Sequence, residues 1–185
     1  MKEAVSLFSS AGIGELGLKS NGIKIVVSSE LLADRHRLYH NNYPGTECIT
    51  GDIWESKDSI IQKYKELTSE QELFLLYATP PCQGMSTNGA GTLLKGVREG
   101  NKPIIDARNR LTMDIVTALR PRWFLMENVP LMRNTVINDE NDNYVNIIDY
   151  VCDRLGEEYK GAAQVISCSD FGIPQVRKRL ITIFT

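Results

Sequence analysis

The chain has 185 residues, 42% of them hydrophobic and 24% charged, with a formal net charge of −2. That balance fits one globular domain with its own core and carries no global signature of a nucleic-acid binder, so any such role has to rest on local charge. No apolar stretch reaches the ~18 residues of a membrane span, and the start, MKEAVSLFSSAG, reads as a strand rather than a secretory leader.

In chain order, EAVSLFSS (3–10) is strand-like and runs into the glycine turn AGIGELG, which opens a helix. IKIVVSSE (23–30) is a second strand, and LLADRHRLYHNNYP a helix stopped by Asn42 and Pro44. TECITGDI holds a short third strand, ESKDSIIQKYKEL a helix, and ELFLLYAT (72–79) a fourth strand. DARNRLTMDIVTALRP is a helix with Asp106 as N-cap. RWFLMENVP is a fifth strand, YVNIIDYVCDRLGEEY (144–159) a helix, and GAAQVISCSDFGIPQ (161–175) and KRLITIFT (178–185) two further strands. Two stretches resist the pattern: the glycine-rich 86–105, read as either disordered or a working lid, and the acidic 134–143, read as an exposed excursion. Alternating strands and helices predict a doubly wound, mainly parallel α/β sheet, in which ligands bind beyond the carboxyl ends of the strands. Gly12, Glu30, Asp52, Cys82 and Glu127 all fall at or just past predicted strand ends.

Four cysteines occur, none in a C-x-x-C pair, which points to a reducing cytosol. His36 and His40 share a predicted helix, but the zincin glutamate and a third ligand are missing, so no metal is expected and the pair reads as a polar helix face. Gly12, Gly14 and Gly17 form G-x-G-x-x-G after a strand, and Glu30 ends the next strand, where a carboxylate can take both ribose hydroxyls. Alone, these fit any adenosine cofactor, a nicotinamide one included. Asp52 reads either as an acceptor for the adenine amine or as a helix cap.

Pro80 and Pro81 stiffen the end of the fourth strand and hold Cys82 at a defined place; as thiolate, Cys82 is a nucleophile. Glu127, directly after WFLM, is costly if buried unpaired. Either Asn128 and its neighbours satisfy it, or it serves a ligand, where a half-buried carboxylic acid can protonate a ring nitrogen. Arg177 and Arg179, two apart on a predicted strand, share a face; they suit a carbonyl oxygen or phosphate, or else are charges that guard an exposed edge strand against aggregation.

FSSAGIGELG, SSE, GDI, PPCQGMS, DARNRL, ENV and QVRKR stand in the order and approximate spacing of the cytosine-C5 DNA methyltransferase family, which the chain resembles over nearly its whole length. The resemblance implies a Rossmann-like sheet of the S-adenosylmethionine-dependent methyltransferase type and a flipped-out cytosine in double-stranded DNA as substrate. It makes Cys82 the nucleophile at C6, places Glu127 at N3 and the exocyclic amine, and gives Arg179, supported by Arg177, the cytosine O2. Phe8 then packs on adenine, Glu30 holds the ribose, and Asp52 and Ile53 read the adenine edge. The Gly12 turn takes the methionine part, with Ser10, Ala11, Gly14, Leu31 and Pro80 completing the cofactor set. Gln83, Ser86, Lys95 and Arg98 fall on the DNA side, and the implied setting is the cytoplasm of a prokaryote, beside the nucleoid, within a restriction–modification system.

The sequence departs from the family pattern in two respects. Ser10 replaces a usual glycine, and the target-recognition part is expected in a C-terminal segment or second subunit. Two alternatives remain at this point. One is the same chemistry on tRNA; the other is a non-catalytic subunit that needs a partner.

Overall fold

The computed structural model describes residues 2–69, 71–82, 108–141 and 143–185. The expected lid at 86–105, the Asp106 cap and the DNA-side residues Gln83, Ser86, Lys95 and Arg98 lie outside them. Among the described residues, seven strands form one sheet in the order β3-β2-β1-β4-β5-β9-β8. They are β1 (Lys2–Leu7), β2 (Ile23–Glu30), β3 (Glu47–Thr50), β4 (Leu75–Ala78), β5 (Trp123–Asn128), β8 (Gly161–Ser167) and β9 (Lys178–Phe184). The β3-β2-β1-β4-β5 part is parallel, while β9 runs antiparallel to both β5 and β8.

Helices cover both faces, which is why the inner strands read as unbroken apolar runs. α1 (Glu15–Ser20) and α2 (Ala33–Asn42) pack on one face through Leu18, Tyr39 and Tyr43, over Ala4, Ile25 and Leu75. α3 (Ile53–Thr68), α4 (Arg108–Leu119) and α5 (Ile147–Leu155) bury Ile60, Tyr64, Met113, Val116, Tyr150 and Val151 on the other. The chain winds from β1 outward to β3, then crosses back to place β4 on the other side of β1. That reversal opens a crevice between the carboxyl ends of β1 and β4.

Several boundaries differ from the sequence reading. The first strand stops at Leu7, because Phe8 and Ser10 take left-handed backbone conformations (φ 60° and 49°) and turn the chain. The acidic excursion is half of a hairpin, β6 (Val136–Asn138) with β7 (Tyr144–Asn146). It forms because Ile137 is buried and Asp139 accepts the Asn141 and Asn143 amides at 2.8 Å each. The helix expected from 144 therefore starts at Ile147, capped by Asn146, whose Oδ1 accepts the Ile148 amide at 2.8 Å. The strand expected over 161–175 ends at Ser167, where Ser167 and Asp170 form a capping box over the 3-10 turn Cys168–Phe171.

Candidate active site

The glycine turn is folded by its neighbours. Ser9 donates its amide to the Ser29 carbonyl at 3.0 Å, so the chain leaving β1 stays tied to β2. Gly12 has φ +85°, and a Cβ there would lie 2.3 Å from the Tyr43 ring. Tyr43 stacks on Tyr39 and donates its hydroxyl to the Gly12 carbonyl at 2.7 Å. Gly12 is thus required by an aromatic pair beneath the loop, whatever lies above it. A Cβ on Gly14 would meet the Tyr77 hydroxyl at 2.5 Å, whereas Gly17 faces open space.

Glu30, the last residue of β2, is 7% exposed. Its carboxylate accepts the Ser10 amide at 2.8 Å on one oxygen and the Leu32 amide at 2.9 Å on the other. These bonds fix its rotamer and leave lone pairs for a ligand. Across the pairing, Glu30 stands opposite Thr50, and the Gly51 amide returns to the Glu30 carbonyl at 3.0 Å. Asp52 caps α3 by accepting the Trp54 amide at 3.0 Å, as one of its two sequence readings has it, and also lines the crevice.

The crevice is a cleft of about 400 Å³. Phe8, Ser10, Glu30, Leu31, Asp52 and Ile53 of the expected cofactor set line it. So do Arg35, Thr79 and Pro81, which were not in the expected cofactor set. Ala11, Gly12, Gly14 and Pro80 are not part of its wall. Pro80 is buried, and its carbonyl accepts the Asn128 side-chain amide at 2.9 Å. An apolar ring, a buried carboxylate and a second acid at the rim fit the adenine, ribose and amine of S-adenosylmethionine, and the volume is that of a small-molecule site.

Cys82 follows the Pro80–Pro81 turn and is partly buried. The turn is held from two sides. Thr79 donates its amide to the Leu7 carbonyl at 3.2 Å and its hydroxyl to the Phe8 carbonyl at 3.0 Å, while Asn128 reaches over from β5. Glu127, next to Asn128, points to the opposite face of β5. It pairs with Arg179, whose Nε lies 2.6 Å from Oε1. The register explains this contact: Glu127 stands opposite Ile181, and Arg179, two residues earlier on antiparallel β9, shares that face. Arg179, not Asn128, therefore compensates the Glu127 charge.

Two expectations are corrected. β9 begins at Lys178, so Arg177 lies ahead of the strand, exposed, with its carbonyl accepting the Cys168 amide at 2.9 Å. His36 is not on a polar helix face: it is 2% exposed, and burial holds its imidazole below the usual histidine range. Only His40 of the pair is exposed. Among the described residues no group of three His, Cys, Asp or Glu side chains is placed to hold a metal, and no helix is long and apolar enough to cross a membrane.

A mainly parallel sheet with an antiparallel β9 hairpin at one edge, and a cleft at the β1/β4 switch, defines the S-adenosylmethionine-dependent methyltransferase fold. The structure of a Spodoptera frugiperda DNMT2 variant superposes with a TM-score of 0.71 at 19% identity, covering 100% of this chain and 50% of that one. The family described as C-5 cytosine-specific DNA methylase matches residues 3–185, and the chain belongs to it. Type II methyltransferase M1.HgaI of Avibacterium volantium is 36% identical over 180 residues, which is 96% of this chain and 48% of that protein. M.AquIA of Picosynechococcus sp. is 29% identical over 187 residues, 98% of this chain and 71% of that protein. The chain thus spans about half the length of M1.HgaI and about seven-tenths of M.AquIA.

Proposed function

We propose that this chain carries the catalytic and cofactor-binding part of a DNA cytosine-C5 methyltransferase. Its substrate is a cytosine extruded from duplex DNA, and Cys82 is its nucleophile. The carrying observation is the Asn128 bond to Pro80: it ties the Cys82 turn to the strand whose preceding residue, Glu127, is already paired with Arg179. This supports a reading in which thiol, acid and guanidinium come from neighbouring strands: β4 leads into Cys82, β5 carries Glu127 and β9 carries Arg179.

In this reading Cys82 Sγ bonds to C6, and the electron pair released from the C5–C6 double bond makes C5 nucleophilic. Glu127, in its protonated form, gives N3 its proton while its other oxygen accepts from the exocyclic amine, and Arg179 donates to O2, so the negative charge developing on the ring meets a proton and a cation; N3 returns the proton when the ring is restored. S-Adenosylmethionine, when bound, supplies an electrophilic methyl group. Loss of the C5 proton to water and departure of the Cys82 sulfur then restore the ring. Glu30 and Asp52 hold the donor's adenosine, and Phe8 covers its adenine. Flipping the base costs a few kcal/mol, which binding must offset. Reading of the DNA site is assigned to a further segment or a second subunit.

The test is mechanism-based trapping. With 5-fluorocytosine at the target position and S-adenosylmethionine present, the protein as expressed in its host should form a denaturation-resistant adduct, because fluorine cannot leave as the C5 proton does. Cys82→Ser should form none. An adduct that persists in that variant, or that maps to another residue, overturns the assignment.

A further inference from the structure

We infer that His36, which lies outside the cleft wall, is a positioning residue for the cofactor site; this rests on the function proposed above. Its imidazole spans the two strands that present the cleft's acids. Nε2 lies 2.8 Å from the Ser28 hydroxyl on β2, and Nδ1 lies 2.7 Å from the Thr50 hydroxyl at the end of β3. Ser28 is two residues before Glu30, on the same side of the strand, and Thr50 is Glu30's register partner and is followed by Gly51 and Asp52. One ring therefore bridges, through side chains, the strand ends that carry Glu30 and Asp52, beside the backbone pairing that sets their spacing.

His36 also stands in the first turn of α2. His36 donates its amide to the Leu32 carbonyl at 3.0 Å, Leu32 itself donates to Glu30, and Arg35 lines the cleft. Ser28 donates onward to Cys48 Sγ at 3.4 Å, which leaves its oxygen to accept from Nε2–H and Nδ1 to accept from Thr50. The neutral imidazole meets all these partners, in keeping with its burial. Here a buried imidazole reinforces the alignment of the two ends.

The experiment compares His36→Phe, Thr50→Val, His36→Gln and Thr46→Val with the unsubstituted protein. Thr46 is the control: its buried hydroxyl donates to the Ile25 carbonyl at 2.8 Å, in the same layer but away from the Glu30 end of β2. S-Adenosylhomocysteine affinity is measured by calorimetry beside thermal melting. His36→Phe and Thr50→Val should each weaken binding about ten-fold, the scale of one positioning hydrogen bond. The double variant should be little worse than either alone. His36→Gln, which can still reach Ser28, should recover part of the loss. Thr46→Val should lower the melting temperature and leave affinity intact. In turnover, the loss should appear in the KM for S-adenosylmethionine and not in kcat. Undiminished affinity in both His36→Phe and Thr50→Val, or equal loss in Thr46→Val, overturns the inference while leaving the proposed function standing. Failure of the unsubstituted protein to bind S-adenosylhomocysteine overturns both.

Discussion

Ser10 and Glu15 show how single residues near the glycine turn trade one cost against another. A serine at φ 49° sits in a region that costs an L-residue about 1–2 kcal/mol, which accounts for the family's glycine there. The Ser10 amide offsets this with a charge-assisted bond to Glu30. Glu15 opens α1 yet is only 1% exposed, and the Ser6 hydroxyl donates to its carboxylate. Burial pushes that carboxyl above the ordinary 4.5, with the Ser6 bond partly opposing. A raised folded value means the native state holds the proton longer than the unfolded chain. The associated stability is complete below pH 4.5 and is lost as pH rises through the folded value. Glu15→Gln keeps an acceptor for Ser6 and removes the charge. It should melt about 2–4 °C higher than the parent at pH 8, the shift of ~1 kcal/mol in a domain of this size. The gap should close towards pH 4; melting curves across that range check the sign.

At the scale of elements, β5 is the strand on which the catalytic reading turns. Its alternation sends Glu127 to Arg179 on one face and Asn128 to the Pro80 carbonyl on the other. Asn128 Oδ1 also accepts the Val129 amide at 2.8 Å, so its side chain cannot swing away. Asn128→Ala should cost roughly 1–3 kcal/mol of stability, because the buried Pro80 carbonyl loses its donor. It should lower kcat by about 10–100-fold through misplacement of Cys82. Affinity for S-adenosylhomocysteine should fall less than kcat, since Asn128 reaches the cleft only through Pro80, next to the wall residue Pro81. Urea titration, calorimetry and turnover assays separate these three effects. The existence of β5 is legible from WFLM and its flanks, and so is the need of Glu127 for a partner. The partner of each of its two polar residues was not legible, because that depends on which strands become its neighbours.

For the whole molecule, one cluster of buried side chains runs from Val5 and Val27 through Leu76 and Phe124 to Leu180 and Phe184, joined by α3, α4 and α5. Such continuity predicts a single unfolding transition, with tryptophan fluorescence and far-ultraviolet dichroism coinciding. The cleft belongs to that unit, so its ligand stabilises the whole. S-Adenosylhomocysteine at a hundred times its Kd should add about 2.7 kcal/mol to unfolding. Glu30→Ala should lose most of this at the same ligand concentration, since a charged hydrogen bond contributes roughly 1.5–3 kcal/mol. An undiminished shift in that variant would remove Glu30 from the cofactor site.

Local pattern alone determined the alternation of strands and helices, the winding of the sheet and the placement of Glu30, Asp52, Cys82 and Glu127 at strand ends. Those features follow from apolar periodicity, proline and glycine, which act over a few neighbouring residues. Only the tertiary structure decided that Arg179 meets Glu127, that Arg177 stays off the strand, that Gly12 yields to Tyr43 and that His36 is buried between Ser28 and Thr50. Each of these depends on strand order, register and the face a helix turns inward. Those are set when distant segments compete to bury the same apolar surface, and no short window of sequence contains that competition.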